Sequence, residues 1–483
     1  MKKNVVKFCT FLIILIYIII IINPIFILKT DHRAKLIQGL YKKDDSYDVV
    51  LMGSSHMAGM INPNELWNKY GITSFNYATG GQPIDVTYYL LKEVLKKHKK
   101  PIVVLDIYYL GLTDKFGQDG YIRYVIDNMK FSMNKMQAIF NSTPKDQWPY
   151  YIFPMAKYHT RWKELEEKDF VFDTESSYYA KGFGAGCSLY GEDSLSDTST
   201  KGTSYLPPKT EEYLFKIIEL CKENDLDLVL VNAPHDYTKI AGSSNWHEDI
   251  AKMYNKVAEI AKDNDIPFID YNKKFDEIGF DFKKDMFNDG HANIWGSDKL
   301  TDYLGKFLKE NYNLADHRSD KDYEDWNTGY VYYTQDREAN ILKEVNNIKD
   351  YVPFLKNDNY IIVVDCNNYS RLDDNHDLKE TMKGLGLKLD VSNQKDGYTA
   401  VINRNKVELE EIGDFIKQDK FVLNDNVPLE ITRLREKVNT HVITINGKEY
   451  TNDKDNLNIL VYNRILGKAV DYIYVDDNGR IGR

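Results

Sequence analysis

From Phe8 to Leu28 the chain runs for 21 residues without a charge, interrupted near its far end by Asn23 and Pro24. At about 1.5 Å per helical residue such a stretch covers roughly 30 Å, the thickness of a bilayer's hydrocarbon core. A signal peptide has a shorter apolar run and a small-residue cleavage site, and Ile22-Asn23-Pro24-Ile25 offers none. The stretch therefore reads as an uncleaved single transmembrane anchor over residues 8–28, which places the chain at a cell membrane with the bilayer itself as a partner. Lys2, Lys3 and Lys7 precede it, while Lys29, Arg33, Lys35, Lys42 and Lys43 follow, so flanking charge alone leaves its orientation open. No second stretch is long and apolar enough to span.

The 483 residues leave room for two to four domains. With 63 Lys+Arg against 73 Asp+Glu, a net charge of −10 and no basic stripe, nucleic acid is not an expected partner. The ten histidines form no i, i+4 pairs and the four cysteines no CxxC, so neither a metal site nor a cofactor is expected. One cysteine lies in the anchor, and the spacing of the others leaves open a Cys187–Cys221 bridge or three separately buried thiols.

Residues 30–315 alternate short apolar runs with amphipathic stretches. Strands are expected at 49–52, 74–77, 101–107, 226–232 and 267–270, with helices between them at 63–70, 83–98, 209–224, 247–263 and 297–308. Near-continuous apolar runs such as Val49-Val50-Leu51-Met52 are the signature of strands buried on both faces. The fold class is α/β, a doubly wound five-stranded parallel sheet. An aromatic-rich insertion over 111–204 is expected to be partly helical and to shape a groove at the sheet's active edge. Residues 316–350 read as a polar linker, and 351–483 as a smaller mixed α/β or β-rich interaction domain.

Ligands of open parallel sheets bind beyond the carboxyl ends of the strands. Gly53-Ser54-Ser55-His56 leaves the first strand there, and Asn76-Tyr77-Ala78-Thr79-Gly80-Gly81 leaves the second. Asn288-Asp289-Gly290-His291 precedes the last helix of the same domain. A serine becomes a nucleophile when an imidazole takes its proton, and the imidazole needs a carboxylate that fixes its tautomer and steadies its positive form. In this order the three segments resemble the SGNH/GDSL hydrolase superfamily over residues 46–310, the insertion excluded. The resemblance implies Ser55 as nucleophile, His291 as general base and acid, and Asp289 as orienting carboxylate. It also implies an oxyanion hole from the N–H groups of Ser55 and Gly81. Asn232, after the fourth strand, is the candidate for the side-chain donor that the family's third block supplies and this chain lacks.

Two further departures are visible. Gly-Ser-Ser replaces Gly-Asp-Ser, and the position three before the histidine, where the family has its Asp, is Asn288, while Asp289 stands two before it in a closer Asp-x-His spacing. Both features resemble a membrane-anchored acyl-transfer branch, that of the alginate O-acetylation proteins and the D-alanyl transfer protein of teichoic-acid modification. This implies an N-terminus inside and the bulk of the chain outside, beside a membrane-bound O-acyltransferase and acting on an envelope polysaccharide. His56, His235, His159, Arg161 and Trp162 are candidate substrate contacts. The C-terminal part resembles the interleukin-like EMT-inducer (GG-type) domain at Tyr360–Asp365, Gly384-Leu385-Gly386 and Asn456–Tyr462, which implies a glycan-holding role. An acyltransferase, an esterase with the same triad and a catalytically idle anchored scaffold all remain open at this level.

Overall fold

In the computed structural model the residues described are 2–28, 36, 39–41, 46–170, 178–240, 243–366, 375–389, 397–413, 418–422, 428–434, 440–452 and 457–483. The chain divides into two compact units, Met1–Tyr330 and Val331–Arg483.

The first unit is built on five parallel strands: β1 (Val49–Met52), β2 (Ser74–Asn76), β3 (Ile102–Asp106), β4 (Leu228–Asn232) and β5 (Phe268–Asp270). Their order is β2-β1-β3-β4-β5. The pleat sends alternate residues to opposite faces, and the sequence supplies apolar side chains for both. Val50, Met52, Val103, Leu105 and Leu230 enter one core, while Val49, Leu51, Val104, Val229 and Val231 enter the other. The helices Ile84–Val94, Pro208–Glu223 and Ile250–Asp263 close the first core. Ile294–Asn311 closes the second through Leu300, Leu304 and Leu308. Strand order reverses between β1 and β3, and such a reversal opens a crevice at the carboxyl ends of the strands.

The N-terminal helix, α1 (Lys2–Phe26), is long and apolar enough over Val5–Phe26 to cross a membrane by length and composition, and none of that span is buried. The insertion forms short helices at Asp119–Ile126, Met133–Ser142, Trp148–Ile152, Pro154–Tyr158 and Glu167–Phe170, and its residues 178–204 form an arm without helix or strand. Cys221 is a free, buried thiol, so no Cys187–Cys221 bridge forms.

In the second unit β9 (Gln418–Val422), β10 (Pro428–Leu434), β11 (Thr440–Ile445) and β12 (Lys448–Asn452) form a four-stranded antiparallel sheet of order β12-β11-β10-β9. The central strands of a larger, six-stranded antiparallel sheet are β6 (Tyr360–Cys366), β7 (Gly397–Asn403) and β13 (Leu457–Asn463). They are joined by β8 (Lys406–Gly413), β14 (Lys468–Val475) and β15 (Ile481–Gly482) in the order β15-β14-β13-β6-β7-β8. One face, with Ile362, Val364 and Ile459, packs on helices through Leu342, Tyr351 and Met382. The other, with Ile361, Val363 and Leu460, packs on Leu429, Ile431, Ile443 and Ile445 of the smaller sheet. The stretch expected as a linker is helical over Glu324–Glu344 and Ile348–Phe354. Its polar composition conceals spaced apolar side chains, and Trp326, Tyr333, Ala339 and Leu342 are all buried.

Candidate active site

The turn leaving β1 begins at Gly53, whose φ of +143° is open only to glycine and where an added methyl would stand 2.7 Å from Asp106 Cβ. The ends of β1 and β3 can meet this closely only without a side chain at 53. Ser54 then caps the short helix Ser55–Met60. Its Oγ donates to Asp106 Oδ2 (3.1 Å) and accepts from the His56 N–H (3.4 Å). Ser54 thus spends its hydroxyl on holding the turn, and Ser55 is left half-buried at the crevice. Asp106 also accepts from the Tyr108 N–H (3.3 Å). Burial nevertheless pushes its carboxyl up to about 6 against those hydrogen bonds.

His291 is carried by a tight loop before the helix Ile294–Asn311. Met286 and Ala292 form an antiparallel bridge, and the Phe287 N–H donates to the His291 carbonyl (2.8 Å). Asn293 caps the helix and ties the loop's base through its Nδ2 to the carbonyls of Lys284 (2.7 Å) and Met286 (3.1 Å). Asn288 Oδ1 accepts from three N–H groups: Gly290 (2.9 Å), His291 (2.9 Å) and the imidazole Nδ1 (3.0 Å). With Nδ1 donating, Nε2 carries the lone pair. It lies 2.8 Å from Ser55 Oγ, although 236 positions separate the two residues.

The imidazole's partner is therefore Asn288, and the expectation of Asp289 is corrected. An Asx turn brings the side chain of residue 288 back over 290 and 291. The backbone carbonyl of Asp289 instead accepts from the Asp236 N–H (2.8 Å). Its carboxylate acts on His291 only through space, opposing a burial effect that holds the imidazole below its ordinary value.

Behind His291 lies a stack that the sequence did not reveal. His56 is buried, its ring 3.5 Å from that of Tyr108 and 4.5 Å from that of His291, nearly parallel to both. Burial, aided by the neighbouring imidazoles, holds His56 well below the ordinary histidine range. His235 is also buried, and burial lowers it to about 4. Its Nδ1 pairs with the Ala233 carbonyl (2.8 Å) and its Nε2 with the Tyr254 hydroxyl (3.3 Å). Neither ring is open to a substrate, so both support the site from behind.

The loop after β2 joins the turn after β1 through Thr79 N–H to the Gly53 carbonyl (3.4 Å). Gly81 sits in that loop with φ +60°, under the ring of Tyr121. Asn232 is not placed as an oxyanion donor. It is fully buried, and its amide donates to Asp270 Oδ1 (3.0 Å) and the Tyr237 hydroxyl (3.4 Å). The insertion reaches this edge through its arm, where the Gly184 N–H donates to Ala58 and the Gly186 carbonyl accepts from Ile294. His159, Arg161 and Trp162 lie elsewhere. Arg161 donates to the carbonyls of Phe26 (2.8 Å) and Ile27 (2.9 Å) at the end of α1 and to Asp169 (2.8 Å). His159 pairs with the Ala156 carbonyl, and Trp162 is exposed. Arg161 is thus spent on a helix end rather than on substrate.

No protein-family model and no curated protein matches the chain. Among solved structures it is similar to a Bacteroides fragilis NCTC 9343 protein described as a "putative acylhydrolase", with 14% identity, a TM-score of 0.28, and coverage of 56% of this chain and 91% of that one.

Proposed function

We propose that the protein is a serine acyltransferase that acylates an envelope polysaccharide through an ester on Ser55. The carrying observation is the 2.8 Å approach of Ser55 Oγ to the unprotonated nitrogen of an imidazole whose other nitrogen is held by Asn288. In this reading His291 Nε2 takes the Ser55 proton as Oγ bonds to the acyl carbonyl carbon. Charge gathers on the carbonyl oxygen, toward which the N–H groups of Ser55 and Gly81 are assigned. The donor's leaving group departs with the proton from His291, and the acyl–Ser55 ester remains. A sugar hydroxyl then loses its proton to His291 and attacks the ester, and the serine is regenerated. Burial that keeps His291 neutral favours its service as a base at neutral pH.

The anchor and the acceptor belong to the same reading. α1 crosses the cell membrane with the N-terminus inside, a membrane-bound O-acyltransferase delivers the acyl group, and the C-terminal unit holds the glycan. The test is the acyl content of envelope polysaccharide in cells carrying Ser55→Ala at normal protein level. A fall supports the transferase. A rise would mean an esterase on the same triad, and no change would mean an idle scaffold.

A further inference from the structure

We propose that the insertion carries a second membrane-contacting surface, an apolar face over residues 131–170 that sits in the interfacial zone of the leaflet α1 leaves. The proposal rests on reading α1 as a membrane-crossing helix. Among the described residues after Leu28, seven of sixteen exposed large hydrophobic side chains fall within these forty positions. Scattered exposed hydrophobics are ordinary, whereas a concentration of them marks a contact surface. Met133 and Phe140, seven apart, share a face of the helix Met133–Ser142, and Phe140 packs on Trp148 with ring centroids 4.7 Å apart. Phe153, Trp162 and Phe170 flank the groups that grip α1, and Trp162 is 63% exposed.

The bilayer is the occupant because of where α1 ends. The Met155 N–H donates to Asn23 Oδ1 (3.3 Å), and Arg161 donates to the carbonyls of Phe26 and Ile27. These bonds fix the insertion to the last turn of the apolar helix. Val5–Phe26 is 22 residues, or about 33 Å of helix against a hydrocarbon core of about 30 Å. The side chains beside Asn23–Ile27 therefore lie within about one turn of the boundary between acyl chains and headgroups. That is the depth at which amphipathic surfaces bury their apolar faces and at which tryptophan concentrates.

The test uses the full chain in phosphatidylcholine vesicles, either plain or brominated near the headgroup end of the acyl chains. α1 contains no tryptophan, so any bromine quenching of tryptophan fluorescence reports contact by the rest of the chain. Flotation with the vesicles measures the anchor separately. The expected result is flotation, a loss of fluorescence in brominated vesicles, and at least a halving of that loss in Trp162→Phe. A protein that floats without being quenched overturns the surface while sparing the anchor, and would leave this face to a protein partner. Quenching that survives undiminished when Trp148 and Trp162 are both replaced by Phe is carried by tryptophans outside the insertion and also overturns it. A protein that does not float removes the anchor and the proposal together.

Discussion

Replacing Asn288 by Asp changes one atom in the acceptor of His291 and turns a neutral partner into a charged one. The Nδ1···Oδ1 separation is 3.0 Å, which puts the centres of an imidazolium and a carboxylate at about 4 Å. At an effective dielectric constant of about 20 their attraction is about 4 kcal/mol, enough to raise the imidazole pKa by as much as about 3 before the carboxylate's own desolvation is subtracted. A rise of one to three is the expected net effect. Only neutral imidazole can take the Ser55 proton, so the acid limb of the reaction must move to higher pH. The assay is the rate of fluorophosphonate labelling at Ser55 between pH 5 and 9, which requires no knowledge of the natural substrate. In the parent protein burial holds His291 below the ordinary histidine value, so its acid limb lies at lower pH than that of a free imidazole. In Asn288→Asp the limb moves to higher pH by about one to three pH units, so labelling at pH 6.5 falls relative to the parent protein and recovers by pH 9. Asp289→Asn leaves the limb in place or moves it slightly lower. If Asp289→Asn moved the limb and Asn288→Asp did not, the assignment of Asn288 as the orienting group would be refuted.

Gly53→Ala forces a methyl toward Asp106 at a φ of +143°; we expect a loss of about 2–4 kcal/mol in denaturant titrations, with labelling of Ser55 falling in the fraction that stays folded. Asp106 gives up its proton near 3.8 when unfolded and near 6 when folded. Between those values the unfolded state binds fewer protons, so stability falls as pH rises, by up to about 3 kcal/mol from this group. Asp106→Asn should flatten that part of the pH–stability curve, and an unchanged slope would count against the buried carboxyl as its source. His56→Phe keeps a ring between Tyr108 and His291 and should label nearly as fast as the parent protein. His56→Ala opens a cavity behind the imidazole and should cost at least tenfold in labelling rate and about 2–4 kcal/mol in stability.

The parallel sheet was legible because strands buried on both faces must be apolar throughout, and Val49–Met52 and Leu228–Val231 permit little else. Helix starts were less so: Ile294–Asn311 begins three residues before the expected Ser297, because Asn293 provides the cap. Much of the second unit's β-structure lies in segments such as Lys406–Gly413 and Lys448–Asn452, where charged residues crowd the apolar positions and obscure the alternation. At the site, Ser55 and His291 stood out as a serine after the first strand and a histidine before the last helix. The choice between Asn288 and Asp289 was not available from spacing, since both can accept a hydrogen bond. It is made by the Asx turn, and Asn288 followed by Gly290 was the signal for it. His56 read as a substrate contact because nothing local announces that Tyr108, arriving from the end of β3, will cover it.

If Ser55 accepts an acyl group with His291 as its base, the ester must be open to direct capture. Peptide mapping by mass spectrometry after brief exposure of the full chain to p-nitrophenyl acetate makes that test. The predicted result is a single acetyl group on the Ser55 peptide, absent from His291→Ala. Folded protein without acetyl at Ser55, or equal acetylation in His291→Ala, would contradict it.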